Sequence, residues 1–290
     1  MNDALAAQHM PDIQTALNNA TQLLSKTSDS AALDAEVLLC HVLDKPRSHL
    51  RAWPEKTLQN QQSQQFETLI NLRQQGEPIA YITGHKEFWS REFEVSPAVL
   101  IPRPDTELLI ELSLNLLTNK FDAQIIDLGT GSGAIAITLA AERTDIKVIA
   151  SDLSTKALEI AKNNANKHTV NNIQFIQSNW FNNIPLIQFD LIISNPPYID
   201  SSDPHLSEGD VRFEPDSALI ADDHGLQDIN SLCNQARQYL KADATLLIEH
   251  GFDQKEAVQA IFKSFDYTQV TTYSDLSGNP RVTSGQRNKQ

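Results

Sequence analysis

Hydrophobic positions over the first 75 residues recur at helical spacing. Ile13, Leu17, Ala20 and Leu24 make one stripe, and Leu33, Val37, Leu38 and His41 make another. Ser30 stands where an N-cap would, four residues before Asp34 in an acidic first turn. The Gln-rich stretch 59–65 leads into Phe66, Leu69, Ile70 and Arg73, again at helical spacing. Glutamine favours helix, so this stretch reads as a surface helix. Gly76 closes the region, which carries no catalytic signature and reads as a small helical domain for recognition or packing. Tyr81, Ile82, Phe88, Trp89, Phe93 and Val95 then suit a short hairpin within residues 79–100. In IPRPDTE (101–107) both prolines fix φ and disfavour helix before them, which predicts a rigid turn. A helix from about Asp105 to Leu117 follows.

From residue 123 the pattern becomes an alternation of strand and helix. The strands AQIIDL, KVIASD, NIQFIQ, FDLIISN and ATLLIEH are separated by helices, including AIAITLAAER, STKALEIAKNNANKH and one near residues 226–240. Short β-rich runs alternating with helices imply a parallel sheet covered on both faces. YTQVTTYSD and PRVTSGQ read as a final pair of strands, and no internal repeat is evident.

Composition narrows the class. The chain has 290 residues, 40% hydrophobic and 21% charged, which suits a globular protein of one large domain or an ordinary domain plus a small one. No apolar run approaches the roughly 20 residues that span a bilayer. The opening MNDALAAQHMPD lacks a basic and then apolar leader. Cys40 and Cys233, without CxxC spacing, read as small buried apolar residues in a reducing compartment, so a cytoplasmic location is expected. The eight histidines show no metal-ligand spacing, and no metal is expected. A formal net charge of −14 argues against unaided binding to a polyphosphate and for a protein partner, although such charge also maintains solubility.

Asp127, Gly129, Thr130, Gly131, Ser132 and Gly133 lie between the first strand of the alternation and its helix. Glycine there allows a sharp turn and close ligand approach, and the helix N-terminus offers free N–H donors. Asp152 ends the next strand, 19 residues after Gly133, where a carboxylate can accept both hydroxyls of a ribose. Gly129, Gly131 and Ala134 also satisfy the dinucleotide fingerprint G-x-G-x-x-G/A, so this loop leaves a nicotinamide dinucleotide and S-adenosylmethionine both open.

Asn195, Pro196, Pro197 and Tyr198 follow directly on FDLIIS, at the carboxyl end of a strand, where open α/β sheets bind ligands. An amide or aromatic amine is a poor nucleophile because its lone pair is delocalised. To attack a sulfonium methyl it must pyramidalise and develop positive charge. The Asn195 side-chain oxygen and the Pro196 carbonyl can each accept one N–H and favour that charge. The prolines hold those groups rigid, and Tyr198 offers a flat wall to a planar group. The motif points to methylation of an amino or amide nitrogen. A side-chain amide and the N6 amine of a nucleic-acid adenine are both chemically suited to it; a binding module retaining the fold and a nicotinamide dehydrogenase are the other classes. Arg103 and Glu107 could pair locally or shape the roof of the site. Ile199 to His224 is long for a connection inside a compact domain, which marks a substrate-facing loop with Glu214 as its organiser.

GEPIAYITGHKEFW (76–89), IPRPDTE, DLGTGSG, SDLS, SNWF, NPPYID, DVRFEP (210–215) and GNPRVT together resemble the N5-glutamine methyltransferases of peptide chain release factors, the PrmC/HemK family, over nearly the whole chain. The resemblance implies an α/β, Rossmann-like class I S-adenosylmethionine-dependent methyltransferase domain (105–290). A small N-terminal helical domain for substrate recognition (1–75) would be joined to it by a β-hairpin linker (76–104). It implies a monomeric cytoplasmic enzyme acting on the GGQ glutamine of class-1 release factors, with no nucleic acid or membrane partner. Asp127 and Gly129 to Gly133 would line the methionine part of the cofactor, Asp152 would hold the ribose, Leu153 would also contact the cofactor, and Asn179 and Trp180 would lie by the adenine. Asn195 would contact both cofactor and substrate, and Asn195 to Tyr198, with Arg103, would hold the substrate amide. Other members often carry an acid where this chain has Asn179, and an amide oxygen accepts the adenine amine without the help of a charge.

Overall fold

The computed structural model describes residues 10–288, so the expectation drawn from the opening MNDALAAQH lies outside the described residues. The chain divides into two compact units, Met1–Gly84 and His85–Gln290.

The first unit is helical: Ile13–Leu24, Ala31–Leu43, Arg47–Ala52, Asn60–Gln74 and Ile79–Thr83. Asp12 caps the first helix by accepting the Thr15 N–H at 2.7 Å. Ile13, Leu24, Ala35, Leu38, Leu39, Phe66 and Ile70 form the core. The second helix departs from the expected stripe. Its buried face is Ala31, Asp34, Ala35, Leu38 and Leu39, while Leu33 and His41 are exposed. The shift is tolerated because Asp34 is buried with partners: Ser28 and Ser30 donate to it at 2.8 Å each, and Arg73 Nε does so at 2.7 Å. Ser30 does occupy the N-cap, but its hydroxyl is spent on Asp34 and caps no backbone N–H.

Two further expectations are corrected. Tyr81 and Ile82 belong to the helix Ile79–Thr83, not to a hairpin, because Pro78 starts that turn and Gly84, at φ +77°, stops it. The hairpin itself is β1 (His85–Phe88) and β2 (Arg91–Glu94), and its Phe88 and Phe93 pack into the second unit's core. Cys40 is only half-buried, whereas Cys233 is fully enclosed.

The second unit is built on β3 (Gln124–Leu128), β4 (Lys147–Asp152), β5 (Ile173–Gln177), β6 (Phe189–Ser194), β7 (Leu240–Glu249), β8 (Tyr267–Ser274) and β9 (Pro280–Arg287). They form one sheet in the order β5-β4-β3-β6-β7-β9-β8. The first five are parallel; β9 runs antiparallel between β7 and β8. Ile125, Ile126, Leu191, Ile192, Leu246 and Leu247 are fully buried, as strands with helices on both faces require. One face packs under helices Glu107–Leu117 and Ala134–Glu142, the other under Gln227–Tyr239 and Lys255–Ser264. The chain leaves β3 towards β4 on one side and returns to β6 on the other. That reversal opens a crevice at the carboxyl end of β3, where both motif loops emerge. No described helix is long and apolar enough to cross a membrane.

Candidate active site

A cavity of about 290 Å³ lies at this crevice, close to the lower limit for a small-ligand site. Gly129, Thr130, Gly131 and Ser132 form one wall, Asp152 and Leu153 one end, and Asn195 and Pro197 another part. Gly133 starts helix Ala134–Glu142 at φ +83°, and a Cβ there would stand 2.5 Å from Ile137 Cδ1, so glycine is needed on both counts. Asp152 is held by the loop it faces: Oδ2 accepts Gly131 N–H at 2.9 Å, and Oδ1 accepts Ser154 N–H at 2.8 Å. Each oxygen keeps a lone pair for a further donor. Burial raises the Asp152 pKa, and these backbone donors oppose the rise.

Asp127 is placed differently from the rest of its motif. It is fully buried beneath the loop, where Thr130 Oγ1 donates to it at 2.6 Å. Burial pushes its carboxyl up to about 7, against the Thr130 hydrogen bond. Asp127, Gly133, Pro196 and Tyr198 are outside the cavity wall; Arg103, Leu153, Asn179 and Trp180 are in it. Leu153 is 61% exposed at the cavity end, an apolar side chain that a flat base would cover. Trp180 adopts φ +47° and lays its ring over Gly129, where a Cβ would meet it at 3.4 Å. Its indole N–H is fixed by Asp228, another wall residue, at 3.1 Å.

At the end of β6, Asn195 Nδ2 donates to Thr106 Oγ1 at 3.3 Å, which leaves Oδ1 as the free acceptor. Thr106 comes from IPRPDTE, whose 3-10 turn Pro104–Thr106 also lines the cavity through Thr106. Tyr198 turns away from the cavity: its hydroxyl donates to Glu249 at 3.4 Å, and its carbonyl accepts from Gln254 Nε2 at 3.0 Å. Gly225 passes so close that a Cβ would stand 2.1 Å from the Tyr198 carbonyl oxygen. The tetrapeptide is therefore clamped from behind, and the expected flat tyrosine wall is not part of the cavity.

The Arg103–Glu107 alternative resolves into two separate contacts. Arg103 pairs with Glu214 at 2.7 Å, and Glu107 accepts the Trp89 N–H at 2.9 Å. Glu214 has no exposed side-chain surface, and burial raises its pKa against the pull of Arg103. The pair pins the long segment after Tyr198, whose Pro215, Ser217 and Ala218 complete the wall. Its neck is closed by a bridge between Ile199 and Ile220, in which Ile199 N–H donates to the Leu219 carbonyl at 2.9 Å and the Ile199 carbonyl accepts the Ala221 N–H at 3.0 Å. Sequence reasoning missed Thr106, Asp228 and Glu249. Asp228 and Glu249 stand alone in ordinary helix and strand patterns, and only Thr106, inside IPRPDTE, carried a local signal.

Residues 15–84 match the family model described as the PrmC N-terminal domain, and residues 105–208 match that of the methyltransferase small domain. The chain is similar to the release factor glutamine methyltransferase of Aliivibrio fischeri, 49% identical over 94% of this chain and 97% of the relative. It is 50% identical to that of Salmonella typhimurium over 94% of this chain and 98% of the relative. A methyltransferase structure from Pyrococcus furiosus matches at a TM-score of 0.52 and 16% identity, covering 77% of this chain and 98% of that one, a likeness of fold.

Proposed function

This chain belongs to the release factor glutamine methyltransferase family, and on that premise we propose that its cavity unites S-adenosylmethionine with the GGQ glutamine of a class-1 release factor. The products are N5-methylglutamine and S-adenosylhomocysteine. The observation that carries the reading is the Asn195 amide, held by Thr106 with its oxygen free, in the same cavity as Asp152 and the glycine loop.

The residues present fit the cofactor. Asp152 retains acceptor capacity for two ribose hydroxyls, the exposed Leu153 suits the adenine face, and the glycine loop leaves room for the amino-acid tail. The bound cofactor supplies an electrophilic sulfonium methyl. Asn195 Oδ1 accepts one N–H of the substrate amide, and the Pro196 carbonyl accepts the other. Both acceptors favour the positive charge that grows on nitrogen as it attacks. The methylated nitrogen is acidic enough to lose its proton without a dedicated base. Arg103 and the segment it pins orient the substrate beside this pair. The helical unit captures the release factor, and the enzyme acts as a cytoplasmic monomer.

Transfer of labelled methyl to a purified release factor, compared with the same factor lacking the GGQ glutamine and with adenine-containing DNA, tests the reading. Label on the intact factor alone supports it. Label on DNA would reassign the chain to adenine chemistry.

A further inference from the structure

Asn164 lies inside helix Thr155–Lys167 and has no exposed surface, yet it is polar and outside the cavity wall. Its amide is fully used. Oδ1 accepts the Glu94 N–H at 2.7 Å, while Nδ2 donates to the Glu94 carbonyl at 3.0 Å and to the Ser132 carbonyl at 2.9 Å. One N–H and two carbonyls surround the side chain, so a single orientation satisfies all three; turned over, the amide would set its oxygen against two others.

The two partners lead to two different walls of the cavity. Ser132 lines it directly, one residue before Gly133 starts its helix. Glu94 ends β2 and feeds the turn in which the Val99 N–H donates to the Ser96 carbonyl at 3.0 Å. Directly beyond lie Ala98, Val99, Leu100, Pro102 and Arg103, all wall residues. The helix that carries Asn164 is seated against both segments. A Cβ on Gly133 would stand 3.2 Å from the Cβ of Ala161, one turn before Asn164. Lys167, in the last turn, pairs with Glu92 of β2 at 2.7 Å.

We propose that Asn164 is a positioning residue for the cofactor: one buried amide ties the glycine loop to the start of segment 98–103 and so sets the spacing of two walls before the cofactor arrives. Both ties end on backbone groups, so no other side chain has to hold its place for the gauge to work. With the tie cut, each wall is free to shift on its own, and binding must then bear the cost of ordering them. The loss falls on cofactor affinity. Once the cofactor has drawn the walls together, Asn195 and its neighbours stand as before, and turnover is preserved.

The inference rests on the reading of this cavity as the cofactor's, and the test separates the two. Full-length wild type, Asn164→Leu and Asn164→Asp are titrated with S-adenosylhomocysteine by calorimetry, well below their unfolding temperatures. Asn164→Leu keeps the bulk and removes all three bonds. Asn164→Asp keeps the acceptor for Glu94 N–H and sets a carboxylate against both carbonyls, so one tie survives even where Asn164→Leu does not fold. Val258→Ala is the control for lost stability alone, since Val258 is fully buried in the core on the other face of the sheet. Both Asn164 variants should bind S-adenosylhomocysteine about tenfold more weakly or worse, with kcat at saturating cofactor within about threefold of wild type. Amide exchange in the free variants should quicken over residues 95–100 and 129–133, and return to the wild-type rate when S-adenosylhomocysteine is bound. Val258→Ala should lower the unfolding temperature and leave both affinity and that local exchange unchanged. Wild-type affinity in a folded Asn164 variant, or an equal loss of affinity in Val258→Ala, would overturn the proposal. Wild type that failed to bind S-adenosylhomocysteine would instead overturn the reading on which it rests.

Discussion

Asn195→Ala is the substitution whose consequence follows most directly from the geometry. Asn195 touches the protein through Nδ2, on Thr106, and offers Oδ1 to the cavity. Truncation thus deletes one acceptor aimed at a nitrogen that becomes positive only during the reaction. Loss of a preorganised group of this kind costs about 2.7–4 kcal/mol in the transition state, or roughly 10² to 10³ in kcat. The cofactor should scarcely register the change, because Asp152, Gly131 and Ser154 are bound to one another and not to Asn195. Thr106 loses a donor, but it is only a 3.3 Å bond and no core group is removed. Single-turnover methyl transfer at saturating release factor and cofactor reads the first number, and titration calorimetry with S-adenosylhomocysteine reads the second. A fall in kcat with unchanged cofactor affinity is expected. A collapse of cofactor affinity with kcat preserved at saturation would refute this division of labour.

Asp152→Asn should weaken cofactor binding by roughly 10- to 100-fold, the scale of charge-assisted hydrogen bonds, with kcat at saturation little changed; calorimetry and saturation kinetics check it together. Glu214→Gln should raise KM for the release factor about tenfold, roughly 1.4 kcal/mol, because Arg103 no longer pins the Pro215–Ala218 wall by charge; unchanged KM would show that the segment holds itself. Removing residues 1–84, one whole compact unit, should leave cofactor affinity intact and weaken release-factor binding, and equal losses in both would mark that unit as scaffold.

Much of this was legible because the signals were local. The glycine loop, Asp152 and NPPY each sit at the end of a strand whose apolar run announces it, and a parallel sheet brings such ends together. What the sequence hid was long-range. The stripe of the second helix was misplaced by buried Asp34, which only its distant partner Arg73 makes tolerable. Tyr81 and Ile82 carry strand-like side chains, yet Pro78 and Gly84 bracket them into a helical turn. The two terminal strands were visible, but not that β9 would lie inside β8, since pairing order depends on the edge offered by β7. Arg103 had an acid four residues away in Glu107, and its real partner is 111 residues distant.

Mass spectrometry of an unmethylated class-1 release factor, after incubation with this protein and S-adenosylmethionine, tests the central claim most directly. One added methyl, located by fragmentation on the side chain of the GGQ glutamine, is the predicted result. A methyl on any other residue, or none while calorimetry shows the cofactor bound, would contradict it.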